Sequence, residues 1–129
     1  MRAGAVGRWC AGVALLALVG GCARFEVRMP DGRVEHLRKS EFKAYVKQVF
    51  LRQNRATERL IATLDAGAGG AALDEAEDAM QTACAPLIAL VQAKVDRRRG
   101  SLADKLAMPE VAPRCEAAVA RVEALLPPP

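Results

Sequence analysis

The side chains in this 129-residue sequence best suited to nucleophilic or metal chemistry are few: four cysteines, one histidine and two serines. Cys10, Cys22, Cys84 and Cys115 form neither a Cys-x-x-Cys pair nor a Cys-x-x-Cys-His run. His36 alone could complete a ligand set, so the donor count argues against a zinc or haem site. His36 follows Glu35 with no nucleophile at predictable reach, and Ser40 is better used to cap a helix. The expectation is a non-catalytic protein without metal or cofactor.

What the cysteines do then depends on where the chain is sent. Arg2 and Arg8 give a cationic start, residues 9–19 are apolar apart from Gly12, and Gly20 and Gly21 follow, which is the pattern of a secretory signal. As a helix the apolar run reaches about 16 Å, against roughly 30 Å of bilayer hydrocarbon, so it reads as a cleaved signal rather than a stable span. Leu18, Val19, Gly20, Gly21 and Cys22 resemble the lipobox of bacterial lipoproteins, in which an aliphatic and two small residues precede a cysteine that is lipidated before cleavage. The resemblance covers the targeting segment alone. It implies removal of residues 1–21 and a mature N-terminus at Cys22 carrying a diacylglycerol thioether and an amide-linked acyl chain such as palmitate. At about 0.8 kcal/mol per buried methylene, two or three such chains hold a protein on a membrane in effect permanently. Ala23 stands where inner-membrane lipoproteins of Gram-negative bacteria tend to carry Asp, which implies the periplasmic face of the outer membrane. An ordinary signal peptide cut near Gly21 would instead leave Cys22 a plain thiol.

With Cys10 removed and Cys22 acylated, Cys84 and Cys115 remain as a pair in an oxidising compartment, and a disulfide is expected between them. In the chain-entropy account such a loop stabilises the fold by roughly 3 to 4 kcal/mol, a large share for one small domain.

The elements that would position these residues follow from composition and spacing. With 52% hydrophobic and 26% charged residues the chain is a single globular domain, not a disordered, collagen-like or polytopic membrane protein. Residues 22–39 hold the lipidated cysteine and a short β-hairpin: Phe25, Val27 and Met29 alternate with Glu26 and Arg28, and Pro30, Asp31 and Gly32 supply a turn before Val34, His36 and Leu37. Residues 40–126 read as a disulfide-bonded antiparallel helical bundle of three main helices plus a short one, followed by a Pro tail at residues 127–129, so the fold class is mainly α.

The first helix spans about residues 40–65 from a Ser40 cap, with Phe42, Tyr45, Val46, Val49, Phe50, Ala56, Leu60, Ile61 and Leu64 on one stripe. Gln53 interrupts that stripe and Leu51 lies opposite it. Three glycines make residues 66–71 a tip, and the second helix runs from Asp74 to Arg99, in phase across Pro86, with Gly100 as its stop. Ser101 and Asp104 cap a short helix ended by Pro109, and a last helix from Pro113 carries Cys115, Val119 and Val122 inward.

Removal of Arg2 and Arg8 with the signal leaves 17 basic against 15 acidic residues, too even a balance for nucleic-acid binding. The distribution is more telling. Residues 24–59 hold ten basic and five acidic side chains, whereas residues 60–93 hold five acidic and no basic ones. In an antiparallel pair of helices, Asp74, Glu75, Glu77 and Asp78 are expected near Arg55 and Arg59. The end of the second helix would return to the hairpin, gathering Arg24, Arg28, Arg33, Arg38, Lys39, Arg97, Arg98 and Arg99 into a membrane-facing basic end, with residues 66–71 pointing to a partner. The function expected is that of a membrane-anchored envelope lipoprotein acting as a protein-binding or assembly module. Alternatives are a pilotin-like chaperone of secretin subunits, on architecture alone, an inhibitor or immunity protein against a secreted hydrolase or toxin, or a carrier using Phe42, Tyr45 and Phe50 to line a cavity.

Overall fold

A computed structural model describes residues 23–129; the expected signal segment and Cys22 lie outside the described residues. Two antiparallel strands, β1 (Arg24–Arg28) and β2 (Val34–Arg38), precede three helices, α1 (Lys39–Asp65), α2 (Ala71–Val95) and α3 (Leu102–Leu125). The mainly α class with an N-terminal hairpin is as the sequence pattern predicts. In the turn, the Gly32 N–H donates to the Met29 carbonyl at 2.9 Å and Gly32 takes a positive φ of 88°, which Pro30 and Asp31 prepare by their own backbone preferences. Phe25, Val27 and Leu37 face the helices, with Val27 fully buried and Phe25 stacked on Phe42 at 4.6 Å between ring centroids. Val27 alone contributes roughly 1.5 to 3 kcal/mol by leaving water. The hairpin is stable because it packs.

Helix α3 is the centre of the bundle. Met108, Ala112, Cys115, Val119, Val122 and Leu126 keep a strict four-three spacing and are all buried, facing Leu73, Ala76, Met80, Cys84 and Leu87 of α2. Small side chains let the two backbones approach, and the Cys84–Cys115 disulfide bridges Cα atoms only 4.6 Å apart. These cysteines stand at nearly equal distances along the chain from the connecting loop, so α2 and α3 run antiparallel. Tyr45, Arg52 and Arg59 of α1 meet Glu116, Glu123 and Pro127 in ascending order, so α1 runs parallel to α3. The three helices are staggered. With Tyr45 level with Glu116, α3 begins about 12 Å before α1, and α1 continues about 16 Å past the end of α3 at 1.5 Å per residue.

Several local expectations are corrected. The short helix and the last helix are one, α3, with Pro109 and Pro113 inside it. Each proline removes one amide donor, but the Met108, Ala112 and Cys115 stripe stays in phase and is held by the disulfide, while the hairpin flanks both prolines. Ser101 does cap it, accepting from the Asp104 N–H at 3.4 Å. Ser40 does not cap α1: the N-cap is Arg38, whose N–H donates to Glu41 Oε2 at 2.7 Å. Helix α2 begins at Ala71 and ends at Val95, not Arg99, because Arg97 turns left-handed with φ of 54°. Its N–H donates to the Lys94 carbonyl and that of Arg98 to the Ala93 carbonyl, the same hydrogen-bond pattern that closes α1 at Gly67. Gln53, which interrupts the apolar stripe of α1, is buried as an amide that donates to Thr57 Oγ1 at 3.0 Å.

Candidate functional site

The residues of the expected basic end lie on the hairpin, at the start of α1 and in the α2–α3 loop. Arg24 and Arg28 lie on the outward face of β1, and Arg24 sits directly opposite Arg38 in the register. That like-charged pair is relieved by Glu41, which accepts from the Arg38 guanidinium at 2.7 Å and whose carboxyl is held below its ordinary value by those hydrogen bonds. Arg33 is tied to Asp31 at 2.6 Å within the turn, and Lys39 opens α1. Arg97, Arg98 and Arg99 occupy the α2–α3 loop, where Asp96 takes Arg98 at 3.0 Å.

The two basic groups do not touch. Helix α2 makes no contact with the hairpin, and the hairpin instead flanks Pro109, Pro113 and Ala117 of α3. They lie toward the same end of the molecule, joined along about 10 Å of α3 between Leu102 and Pro109. The stagger leaves three large apolar side chains bare at this end that were not foreseen as exposed. Val95 is 69% exposed, Leu102 68% and Leu106 73%. Val95 belongs to the apolar phase of α2 but lies beyond its cover. Leu102 and Leu106 begin a second apolar face of α3, continued by Pro109, Pro113 and Ala117, which the hairpin covers only from Pro109 onward. A helical projection of residues 101–117 with about 100° per residue would have separated these leucines from the Cys115 stripe.

The expected pairing of Arg55 and Arg59 with the acidic start of α2 is not formed. No ion pair among the described residues joins α1 to α2, and Arg59 donates to the Pro127 carbonyl at 2.6 Å. The interhelical charges that do meet went unrecognised in the sequence. Arg52 reaches Glu123 at 2.6 Å and Glu116 at 3.3 Å, and the Tyr45 hydroxyl donates to Glu116 at 2.7 Å. Burial and then the hydrogen bond to Glu116 push the Tyr45 phenol far above its ordinary value, and the bond to Glu123 raises Arg52 likewise. These bonds run between helices, so the network clamps α1 on α3. The seven-residue spacing of Tyr45 with Arg52 and of Glu116 with Glu123 was its sequence signal.

His36 is exposed on β2 opposite Glu26, and no three His, Cys, Asp or Glu side chains among the described residues stand close enough to hold a metal ion. Phe42 and Tyr45 are spent on the hairpin stack and the clamp. These features define a disulfide-clamped, staggered three-helix bundle capped by a β-hairpin. No protein-family model matches the chain, and neither curated proteins nor solved structures provide a match. No helix of the described residues is long and apolar enough to cross a membrane.

Proposed function

We propose that the protein is a lipid-anchored lipoprotein of the bacterial envelope, held at the periplasmic face of the outer membrane through Cys22, and that its bundle is a non-catalytic module for binding or assembling another protein. The observation that carries the reading is the order lipobox, Cys22, Ala23, then β1 at Arg24, which leaves no tether between the acylated residue and the folded domain. The hairpin end would then lie near the headgroups, where each basic residue adds about 1 kcal/mol to orientation. The opposite end carries the partner-facing chemistry. There α1 outruns α3, Ile61 and Leu64 are partly uncovered, and Asp65, Asp74 and Glu75 give the acidic charge.

Cys22→Ser tests the anchor. The substitution should release the protein from membranes or block its processing, and the mass of the native N-terminal peptide should include diacylglycerol and an acyl chain. A mature N-terminus elsewhere, without lipid mass, would sink the reading. Photo-crosslinking from position 61 in intact cells tests the module, with an envelope protein expected as the adduct; a secretin subunit would favour the chaperone alternative, and a hydrolase or toxin the inhibitor.

A further inference from the structure

The α2–α3 end carries charges beyond those needed inside the fold. Between Lys94 and Leu106 there are five basic and two acidic residues. Arg98 is paired with Asp96, whereas Arg97, Arg99 and Lys105 form no ion pair among the described residues. Arg97 moreover occupies a left-handed backbone position at a helix end, a conformation unfavourable for a non-glycine residue. Along the chain, each of these cations lies within three residues of Val95, Leu102 or Leu106, the most exposed large apolar side chains among the described residues. Bare aliphatic side chains flanked by unpaired cations are what an anionic phospholipid surface recognises: the apolar groups enter the headgroup boundary while the guanidinium and ammonium groups meet phosphates.

We infer that the α2–α3 tip is a second membrane contact, in which Val95, Leu102 and Leu106 insert into an anionic leaflet while Arg97, Arg99 and Lys105 bind its phosphates. The inference rests on the anchored reading, and it deepens it. A single acylated point leaves the bundle free to tilt. Because α3 protrudes about 12 Å past the start of α1 on the side where the hairpin begins, a second contact at Leu102 and Leu106 fixes the tilt. A protein partner with an acidic groove would need the same cations, but the apolar side chains lie on two helices on either side of a loop, which suits a deformable surface better.

The test uses tryptophan as a depth reporter, since the only native tryptophan is Trp9, in the segment expected to be removed. Leu106→Trp and Ile61→Trp are purified as the full, acylated protein with Trp9→Phe. Each is reconstituted in phosphatidylcholine vesicles with or without about a third phosphatidylglycerol, using brominated acyl chains as quencher. Position 106 should be quenched several-fold more than position 61, and more strongly with phosphatidylglycerol. Adding Arg97→Glu and Arg99→Glu should abolish that difference. Equal quenching at both positions, no quenching at 106, or no dependence on phosphatidylglycerol overturns the inference. The anchor is read separately, from the mass of Cys22 and from flotation with vesicles in high salt. If the protein proves to carry no lipid, the same reporter is added to preformed vesicles. There the two charge reversals should lower partitioning by more than about 25-fold, at about fivefold per cation. Absence of quenching in that arm defeats the tip on its own account.

Discussion

Replacing Arg97 by glycine should stabilise the protein, although it removes a whole side chain. Both α1 and α2 end in the same pair of backbone hydrogen bonds, with a left-handed residue at the matching position: Gly67 at φ of 74° and Arg97 at φ of 54°. For a side-chain-bearing residue that conformation costs about 1 to 2 kcal/mol. Against it stands the greater freedom that glycine brings to the unfolded chain, about 0.5 to 1 kcal/mol. The strain wins, leaving a gain of roughly 0.5 to 1 kcal/mol, since Arg97 has no ion pair to lose among the described residues. For a folded unit of about 100 residues this raises the melting temperature by about 2 to 5 °C.

Gly67→Ala is the mirror experiment. A Cβ placed there meets no atom within 4 Å, so its cost is backbone strain alone, and the melting temperature should fall by a similar amount. Arg97→Ala separates strain from the mutual repulsion of three adjacent arginines, because it removes the charge but keeps an L-residue in the left-handed well. Thermal melts followed by circular dichroism at neutral pH decide the matter. If Arg97→Ala stabilises as much as Arg97→Gly, repulsion rather than backbone strain is the cause and the reasoning fails.

Reduction of the Cys84–Cys115 bond, which closes a separation of 31 residues, should cost roughly 3 to 4 kcal/mol. It should lower the melting temperature by about 15 °C, as read in scans with and without reductant. Alkylation without reduction should label neither sulfur. Arg52→Met keeps the side-chain stem but removes a forked bond to Glu123 and the contact with Glu116; because the arginine is partly exposed, the loss should be about 1 to 2 kcal/mol by urea titration. Lowering the pH should destabilise the protein through Asp31, Glu41 and Asp96, all held below their ordinary values of 3.8, 4.5 and 3.8. Their contribution is complete above the unfolded-state values and is lost as pH falls through the lower native ones, so urea midpoints should decline only below about pH 4.5. A decline beginning near neutrality would point to other groups.

The elements with a long apolar stripe and clear stop signals could be read from the sequence, and those whose ends depend on partners could not. Helix α1 was placed within one residue of its observed bounds, Lys39–Asp65, because its apolar spacing and the glycines after Asp65 agree. The hairpin was legible for the same reason, its alternation and its Pro30-Asp31-Gly32 turn pointing to one register. The division of α3 at Pro109 was a misreading of local cost. A proline in an isolated helix is worth about 3 kcal/mol of disruption, but the buried stripe and the disulfide outweigh it, and the in-phase argument that kept α2 whole across Pro86 applies equally to Met108, Ala112 and Cys115. The end of α2 failed in the opposite sense. Nothing in three consecutive arginines announces that the middle of the loop will turn left-handed, and Gly100 offered a more obvious stop. The basic residues of the candidate site were legible as charges, whereas the bare leucines beside them depend on the stagger, a tertiary fact.

That stagger traces to the clamp. A seven-residue repeat on α1 and a seven-residue repeat on α3 admit sliding by whole repeats, and burial alone distinguishes such registers weakly because the apolar spacing repeats as well. Tyr45 and Arg52 meeting Glu116 and Glu123 select one register, as charged positions commonly do between helices, and that register leaves α3 protruding at one end and α1 at the other. Had the helices been flush, α1 would have reached down beside Leu102 and Leu106, and α3 would have covered more of Ile61 and Leu64. The two ends would then still differ in charge but would expose less apolar surface. By fixing the offset, the four clamp side chains leave aliphatic residues uncovered at both ends of the bundle, the basic one and the acidic one.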